Sequence, residues 1–469
     1  LMKAYQQIPN STVDPAWTGA NMNSRVSLVA TGDDVNVFLD EWENGYNYDK
    51  NAPYNPADAK WCRADGTELN AGDVLDLTND DTYVTGSQGV DAGDVLHITN
   101  APLNIVRTVW PDYSPGTYMA GSWELYPIQH WENTYTVPVG ADTRPPELPF
   151  EYSYLFVQGF NDDTRVQIND PYYPAAWEVD TVIDNGESIM YPDPDAGYFS
   201  SYTVCHQGTE VIGTFSGSTA TAPLQAGIMT SQNGSVDSRF YTLTPADLLG
   251  YTYYIPTPSY VSLPAGDFGG RDIVNTAYVY SFQSDTEVTV QWSGGTESFT
   301  LDEGDVYYYI LPEIPLDQWQ GDYATRFQSD ETWKKIWVLV SVDDNNSGVD
   351  FGYQGLFPEY FGKSYYLPYA PSNPTHLTPL FDNTRFYVDW DNDWTADTSF
   401  ILDQLECRLL FPPASVGNDG TGAHIWADKK FPLAWGQDHQ QHTPGPEADN
   451  FPPDFDYGFT ILPLRWFDP

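Results

Sequence analysis

The stretch GYTYYIPTP, Gly250–Pro258, decides the reading of the whole chain. It is an aromatic run that stops at a proline, which removes a ladder donor and ends regular pairing. Similar runs stand at WENTYTVPVG (Trp131–Gly140), FGKSYYLPYA (Phe361–Ala370) and YGFTILPLR (Tyr457–Arg465), and a looser one at AYQQIP (Ala4–Pro9). A second proline in an apolar setting precedes each final proline Pro138, Pro256, Pro368 and Pro463: these are Pro127, Pro245, Pro358 and the pair Pro452–Pro453. In TPADLLG the spacing predicts one helical turn, with Thr244 as N-cap, Pro245 as first residue and Gly250 as stop.

The segment after each run also recurs. GDDVNVFL (Gly32–Leu39), DDTRVQI (Asp162–Ile168), SDTEVTV (Ser284–Val290) and DNTRFYV (Asp382–Val388) read as a tight polar turn and an alternating strand, one face buried and one wet. A glycine-acid turn comes next, at LNAGDV (Leu69–Val74), IDNGES (Ile183–Ser188) and LDEGDV (Leu301–Val306). Its glycine supplies positive φ and its acid caps free N–H groups. Apolar strands then appear at NIVRTVW (Asn104–Trp110), TEVIGTF (Thr209–Phe215) and KIWVLVSV (Lys335–Val342). In the fourth copy, DQLECRLL (Asp403–Leu410) lacks the glycine, so its place in the scheme is loose.

Copies lie roughly 95 to 130 residues apart, near the ~100 residues of a β-sandwich and above the about 40–50 of a propeller blade. The expectation is an all-β chain of four tandem β-sandwich-like repeat modules over 1–133, 134–251, 252–364 and 365–469. The alternative is a closed propeller-like ring of elaborated blades. The last run, GFTILPL, leaves an extra C-terminal strand with three possible fates: it closes a ring with the N-terminal strand, completes module four's sheet, or pairs with an edge on another copy of the chain.

Sixty-six acidic residues face 19 lysines and arginines, a formal charge of −47 spread along the whole length. That excludes phosphate-backbone recognition, which needs a basic face. It fits a surface adapted to salt, and one that takes up divalent cations. No apolar run approaches the about 20 residues of a membrane helix, so no direct membrane insertion is expected. Cys62, Cys205 and Cys407 are too few and too dispersed for a disulfide scaffold. The chain opens at Leu1 with no signal peptide in view, which reads as a mature or truncated exported product. Sequons at Asn10, Asn233 and Asn345 are compatible with export.

The order of these motifs resembles the N-terminal domain of the IgGFc-binding protein family, which also occurs in microbial surface proteins. The resemblant pieces are the DTxVxV strand (Asp285–Val290), the LxxGD turn (Leu301–Asp305), VIGTFSG (Val211–Gly217) and P…LGxxYxxP (Pro245–Pro256). They cover modules two and three best. The resemblance implies an extracellular, adhesive or structural role. No residue motif for immunoglobulin binding maps here, and the acidity departs from animal members.

For chemistry, DWDNDWTAD offers the candidate Ca²⁺ ligands Asp389, Asp391, Asp393 and Asp397, alternating like the start of an oxygen-rich loop. Trp394 and Phe400 stand where an EF-hand has glycine and glutamate. Acidic-aromatic loops in modules one and two supply candidate sugar-stacking residues Trp42, Tyr46, Tyr48, Tyr172 and Tyr173. His439 and His442, near Asp438 and Glu447, form a weaker zinc candidate. GTFSG (Gly213–Gly217) has the wrong order for a serine elbow, and no phosphate loop or dinucleotide fingerprint occurs. The expectation is a secreted, non-enzymatic structural or adhesive cell-surface protein that self-associates into a layer or filament. The alternative is a carbohydrate-binding or carbohydrate-active exoprotein with surface glycans as partners.

Overall fold

The computed structural model describes residues 22–40, 60–61, 68–78, 95–101, 103–111, 121–140, 152–172, 179–192, 205–231, 238–261, 275–315, 320–342, 351–370, 374–436 and 458–463. Within them the chain is all-β, built as four modules of two facing sheets.

Module one holds Met22–Ala30 (β1), Asn36–Asp40 (β2), Lys60–Trp61 (β3), Val74–Thr78 (β4), Val95–Thr99 (β5), Leu103–Pro111 (β6) and Gly121–Glu124 (β7). Its inner sheet runs β4-β1-β6-β7 and its outer sheet β3-β2-β5. Module two holds Thr134–Thr136 (β8), Tyr152–Gly159 (β9), Thr164–Asn169 (β10), Val179–Ile183 (β11), Ser188–Tyr191 (β12), Glu210–Phe215 (β13), Leu224–Ser231 (β14) and Ser238–Thr242 (β15). Its sheets are β12-β9-β14-β15 and β11-β10-β13-β8.

Module three comprises Thr252–Ile255 (β16), Ser259–Val261 (β17), Thr276–Ser281 (β18), Thr286–Trp292 (β19), Gly295–Leu301 (β20), Val306–Ile310 (β21), Glu313–Pro315 (β22), Gln320–Gly321 (β23), Thr325–Ser329 (β24), Ile336–Val342 (β25) and Phe351–Gln354 (β26). It pairs β21-β18-β25-β26 and β20-β19-β24-β16, with a small parallel pair β17-β22. Module four comprises Gly362–Tyr366 (β27), Thr375–Leu377 (β28), Thr384–Asp389 (β29), Thr398–Leu402 (β30), Cys407–Leu410 (β31), His424–Phe431 (β32), Leu433–Gly436 (β33) and Gly458–Thr460 (β34). Its sheets are β31-β28-β33-β34, extended by β23 of module three, and β30-β29-β32-β27.

The recurring strand turns on one tyrosine. Tyr135, Tyr253 and Tyr365 stand three residues before their prolines, on β8, β16 and β27. Each hydroxyl accepts the backbone N–H three residues upstream, from Glu132, Gly250 and Gly362, at 3.0–3.1 Å. Each donates to a backbone carbonyl at the start of an inner strand or just before it: Leu224, Ile336 and Phe431. The ring fills the core while its polar tip satisfies two backbone groups that burial would otherwise orphan.

Turns recur in register too. The turn before each alternating strand places Asp34, Asp163, Asp285 and Asn383 in the left-handed region. In the glycine-acid turn, Gly72, Gly186 and Gly304 have φ of 79–85°, and Leu405 takes the same position with φ 67°. The fourth copy therefore makes the turn without its glycine, and Glu406 caps Asp403 as Asp305 caps Asp302.

One expectation needs correction. Pro245, not Thr244, is the N-cap of a short 3-10 helix over Ala246–Leu248, which ends at Leu249. Thr244 instead gives its hydroxyl to Gln354. Of the three fates open to the last run, the chain takes the second: β34 pairs with β33 and completes module four's inner sheet, as β7 does in module one. It has Phe459, four residues before Pro463, where a leading strand has tyrosine at three.

The modules close a ring. β7 packs on β15 and β34, and β26 packs on β15 and β34, so one edge strand from each module meets the next around a common axis. The central strands of each inner sheet are buried on both faces, by the module's own outer sheet and by a neighbouring module. Tyr278, Tyr280, Trp337 and Leu339 of module three enter module two's core. Leu409 and Ala434 of module four enter module three's, and Val106 of module one enters module four's. Trp123 stacks on Phe240 with centroids 5.4 Å apart to complete the circuit. No helix among the described residues is long and apolar enough to cross a membrane.

Candidate functional site

With β7, β15, β26 and β34 at the axis, the opposite edges of the sheets form the rim. The hairpin between β29 and β30 carries the aspartates. Asp389 ends β29 with its side chain fully buried. Its two carboxylate oxygens accept the N–H groups of Asp393 (3.2 Å) and Trp394 (2.8 Å). Asp397 accepts the Trp390 N–H at 2.7 Å, and its own N–H returns to Val388 at 2.8 Å. The loop is thus folded around its own acids.

One oxygen from each of Asp389, Asp391 and Asp397 lies within 4.8 Å of the others. A calcium ion bonds oxygen at about 2.4 Å, so ligands on its opposite sides stand about 4.8 Å apart. The trio is therefore close enough to hold one metal ion, with Asp391 and Asp397 open to solvent for the water ligands it would also need. Asp393 is not part of the trio; its carboxylate accepts the Thr395 N–H at 2.7 Å. Burial pushes the Asp389 carboxyl up, and the nearby Asp393 and Asp391 charges add to this, while the two backbone N–H groups oppose it. A bound cation would offset that charge crowding.

The same loop raises Trp394, 66% exposed and with φ 70°, and Asn392, with φ 53°. A tryptophan in the left-handed region is strained, and here the Asp389 carboxylate holds its N–H. Asn392 reaches across to module one and donates to the Ala71 carbonyl at 2.7 Å. Beneath the loop, His424 lies opposite Asp389 in register, stacks on Tyr366 at 4.3 Å and shares a 2.6 Å hydrogen bond with Ser364. Burial pushes His424 down to about 4, so it is neutral at physiological pH. Burial pushes Tyr366 up to about 12, with help from Asp33 of module one and Asp389 of module four. The candidate cation loop is therefore also a seam between the last and first modules.

Of the sugar-stacking candidates, Tyr172 is 67% exposed and lies flat on His206, with centroids 4.5 Å apart and planes 9° from parallel. His206 is in turn held by the buried Asp170 carboxylate, Nδ1 to Oδ2 at 2.9 Å. Asp170 also accepts from the Tyr172 N–H and the Tyr191 hydroxyl. This Asp-His-Tyr stack escaped the sequence reading because Asp170 and His206 are 36 residues apart. Trp42, Tyr46, Tyr48 and Tyr173 lie outside the described residues, as do Cys62, Asp438, His439, His442 and Glu447. Cys205 and Cys407 are buried, and burial pushes the Cys407 thiol up to about 12.

A second polar cluster lies at the axis. Glu124, Thr242, Gln354 and Thr460 occupy the same position on β7, β15, β26 and β34. Gln354 donates to the Glu124 carboxylate and to the Tyr126 hydroxyl (2.6 Å). Thr242 donates to the Glu124 carbonyl at 2.7 Å, and Thr460 to the Gln354 carbonyl. All four modules are linked there. No protein-family model matches the chain, and no curated protein is detectably similar to it.

Proposed function

We propose that this chain is an exported, non-enzymatic surface protein that acts by contact: a rigid ring whose rim loops grip neighbours, with divalent cations as the link. The observation that carries the reading is the 389–397 loop. It couples an exposed tryptophan, held in a strained conformation, to a carboxylate trio close enough to hold one cation. Strain of that kind persists where the surroundings over-determine it, and contact sites are such places. The order of strand motifs that resembles the IgGFc-binding protein N-terminal domain supports an extracellular setting. The high negative charge supports cation-mediated association, since copies at −47 otherwise repel. Because β34 is used within module four, assembly would run through rim contacts rather than an exchanged terminal strand.

Sedimentation of the purified chain in calcium and in EDTA tests this. Larger species in calcium, lost in EDTA and absent in Asp391→Asn, are the expected result. A monomer in both solutions contradicts it. A second reading, glycan binding, is favoured by Tyr172 lying as an exposed, pre-positioned ring on His206. Loss of polysaccharide retention in Tyr172→Ala, at unchanged melting temperature, would support it.

A further inference from the structure

We infer that the outer face of module four's outer sheet, around Arg385, receives the hairpin between β29 and β30 of a second copy of the chain. The inference rests on the reading that copies associate, and it names the surface that the hairpin grips. Ile401 lies opposite Arg385 in register and is 45% exposed. One pair along the same face, Tyr387 stands between Ser399 and Trp426. It stacks on Trp426 with centroids 5.3 Å apart, and both residues are half-buried. Phe381, in the turn that leads into β29, is 55% exposed. A lone exposed apolar residue is ordinary, but several aromatic and aliphatic side chains beside an arginine have the composition of an interface.

This end of the sheet is also basic, on a chain whose net charge is −47. Lys363, Arg385, Lys429 and Lys430 gather there against Asp382 and Asp428. Lys429 donates to the carbonyls of Asp382 (2.5 Å) and Asn383 (3.0 Å), and the Arg385 backbone N–H donates to the Asp428 carboxylate at 2.9 Å. Lys363 sits between Gly362 and Ser364, which face Phe431 and Trp426 on β32. Modules two and three are built differently. Module three has Tyr251, Glu287 and Glu331 at the positions of Lys363, Arg385 and Lys429. Module two has Arg165 at the position of Arg385, but Asp180 neutralises it through hydrogen bonds of 2.6 and 2.7 Å. In module four Ser399 stands where Asp180 would, so Arg385 lacks that carboxylate.

A basic and apolar face suits an acidic and aromatic partner, and the chain carries one. Trp394, 66% exposed, stands in the hairpin among the exposed Asp391, Asp393 and Asp397. Tryptophan and arginine are among the residues most enriched at the energetic centres of interfaces. The two surfaces lie at opposite ends of β29. From Arg385 to Asp389 the strand already spans about 13 Å, so one copy cannot join its own pair. The contact is therefore head-to-tail between copies, the kind that builds open filaments or rings.

Sedimentation of charge-swapped chains in calcium tests this. Arg385→Asp should raise the concentration needed for assembly about 10-fold or more, and so should Asp393→Arg. An equimolar mixture of the two should recover assembly, because each hairpin then meets the opposite charge on the other chain. Trp394→Ala and Ile401→Asp, both at exposed positions, read the same contact independently and should each weaken assembly at unchanged melting temperature. A mixture that assembles no better than either swapped chain overturns the proposal. Wild-type assembly that Arg385→Asp and Ile401→Asp leave unchanged overturns this contact but not the calcium-linked reading. A wild-type chain that is monomeric in calcium and in EDTA overturns both.

Discussion

The side-chain amide of Gln354, on β26 of module three, donates to the carboxylate of Glu124, on β7 of module one. The two residues are 230 positions apart and meet because four modules close around one axis. Glu124 is the only acid among the four equivalent positions, and it is fully buried beside neutral partners: Gln354, Thr242, Thr460 and Tyr126. Burial pushes its carboxyl up to about 7, against the pull of the Gln354 amide.

The axis therefore titrates. Between the ordinary glutamate value of 4.5 and about 7 the folded ring holds a proton that the unfolded chain has lost. Stability attributable to this group is greatest at or below the lower value and falls as pH rises through the window. The loss is on the order of 3 kcal/mol. Glu124→Gln, which is neutral at every pH, should raise the melting temperature at pH 8 and flatten its decline from pH 5 to 8. Urea titrations at several pH values check both.

Removing the hydroxyl of Tyr253 orphans the Gly250 N–H and the Ile336 carbonyl inside the core. Tyr253→Phe should cost about 1–3 kcal/mol, and Tyr135→Phe and Tyr365→Phe should behave alike. Denaturant unfolding of the three variants is the check.

Gly458 faces the ring of Phe351: a methyl group added there would lie 1.9 Å from a ring carbon. Gly121 meets Phe240 in the same way at 1.8 Å. Gly458→Ala should wedge the seam between modules three and four and destabilise by about 1–3 kcal/mol. Faster hydrogen exchange in β26 and β34 would localise the effect.

Leu405 sets two effects against each other. Its left-handed backbone costs about 1–2 kcal/mol, which glycine would relieve. Its side chain is 5% exposed and packs in a cluster with Tyr126, Tyr254 and Leu462, from modules one, three and four. Deleting a buried leucine side chain costs about 2–5 kcal/mol, so packing wins and Leu405→Gly should lower the melting temperature.

The repeat was legible in the sequence because turn chemistry is local. Glycine-acid pairs and Asp-Thr turns announce themselves at fixed places, and alternation shows in segments such as Thr164–Asn169. The ring was only half legible. KIWVLVSV is apolar without alternation, the mark of a strand buried on both faces, yet nothing in it names the second cover. His376 looked like one of several scattered histidines; it is buried in the inner sheet of module four, and burial pushes it down to about 3. GFTILP and the leading strands differ only in where the aromatic stands relative to proline, and that one-residue difference separates a strand at the axis from one in the outer sheet. In the cation loop the alternation of aspartates was plain. That the Asp393 carboxylate is taken up by the Thr395 N–H, in a loop with left-handed turns at Asn392 and Trp394, is something no spacing rule encodes.

Calcium should raise the melting temperature through the Asp389, Asp391 and Asp397 trio, and EDTA should reverse the rise. Asp391→Asn, at a solvent-facing ligand, should remove the response with little change in EDTA. Differential scanning calorimetry reads this directly.

Small-angle X-ray scattering of the monomeric chain tests ring closure most directly. A compact body of 469 residues has a radius of gyration of about 23 Å. Four modules strung in line would give about 35 Å or more, from units of about 100 residues each. A value in the mid-twenties is the predicted result, and one near the linear figure would contradict the ring.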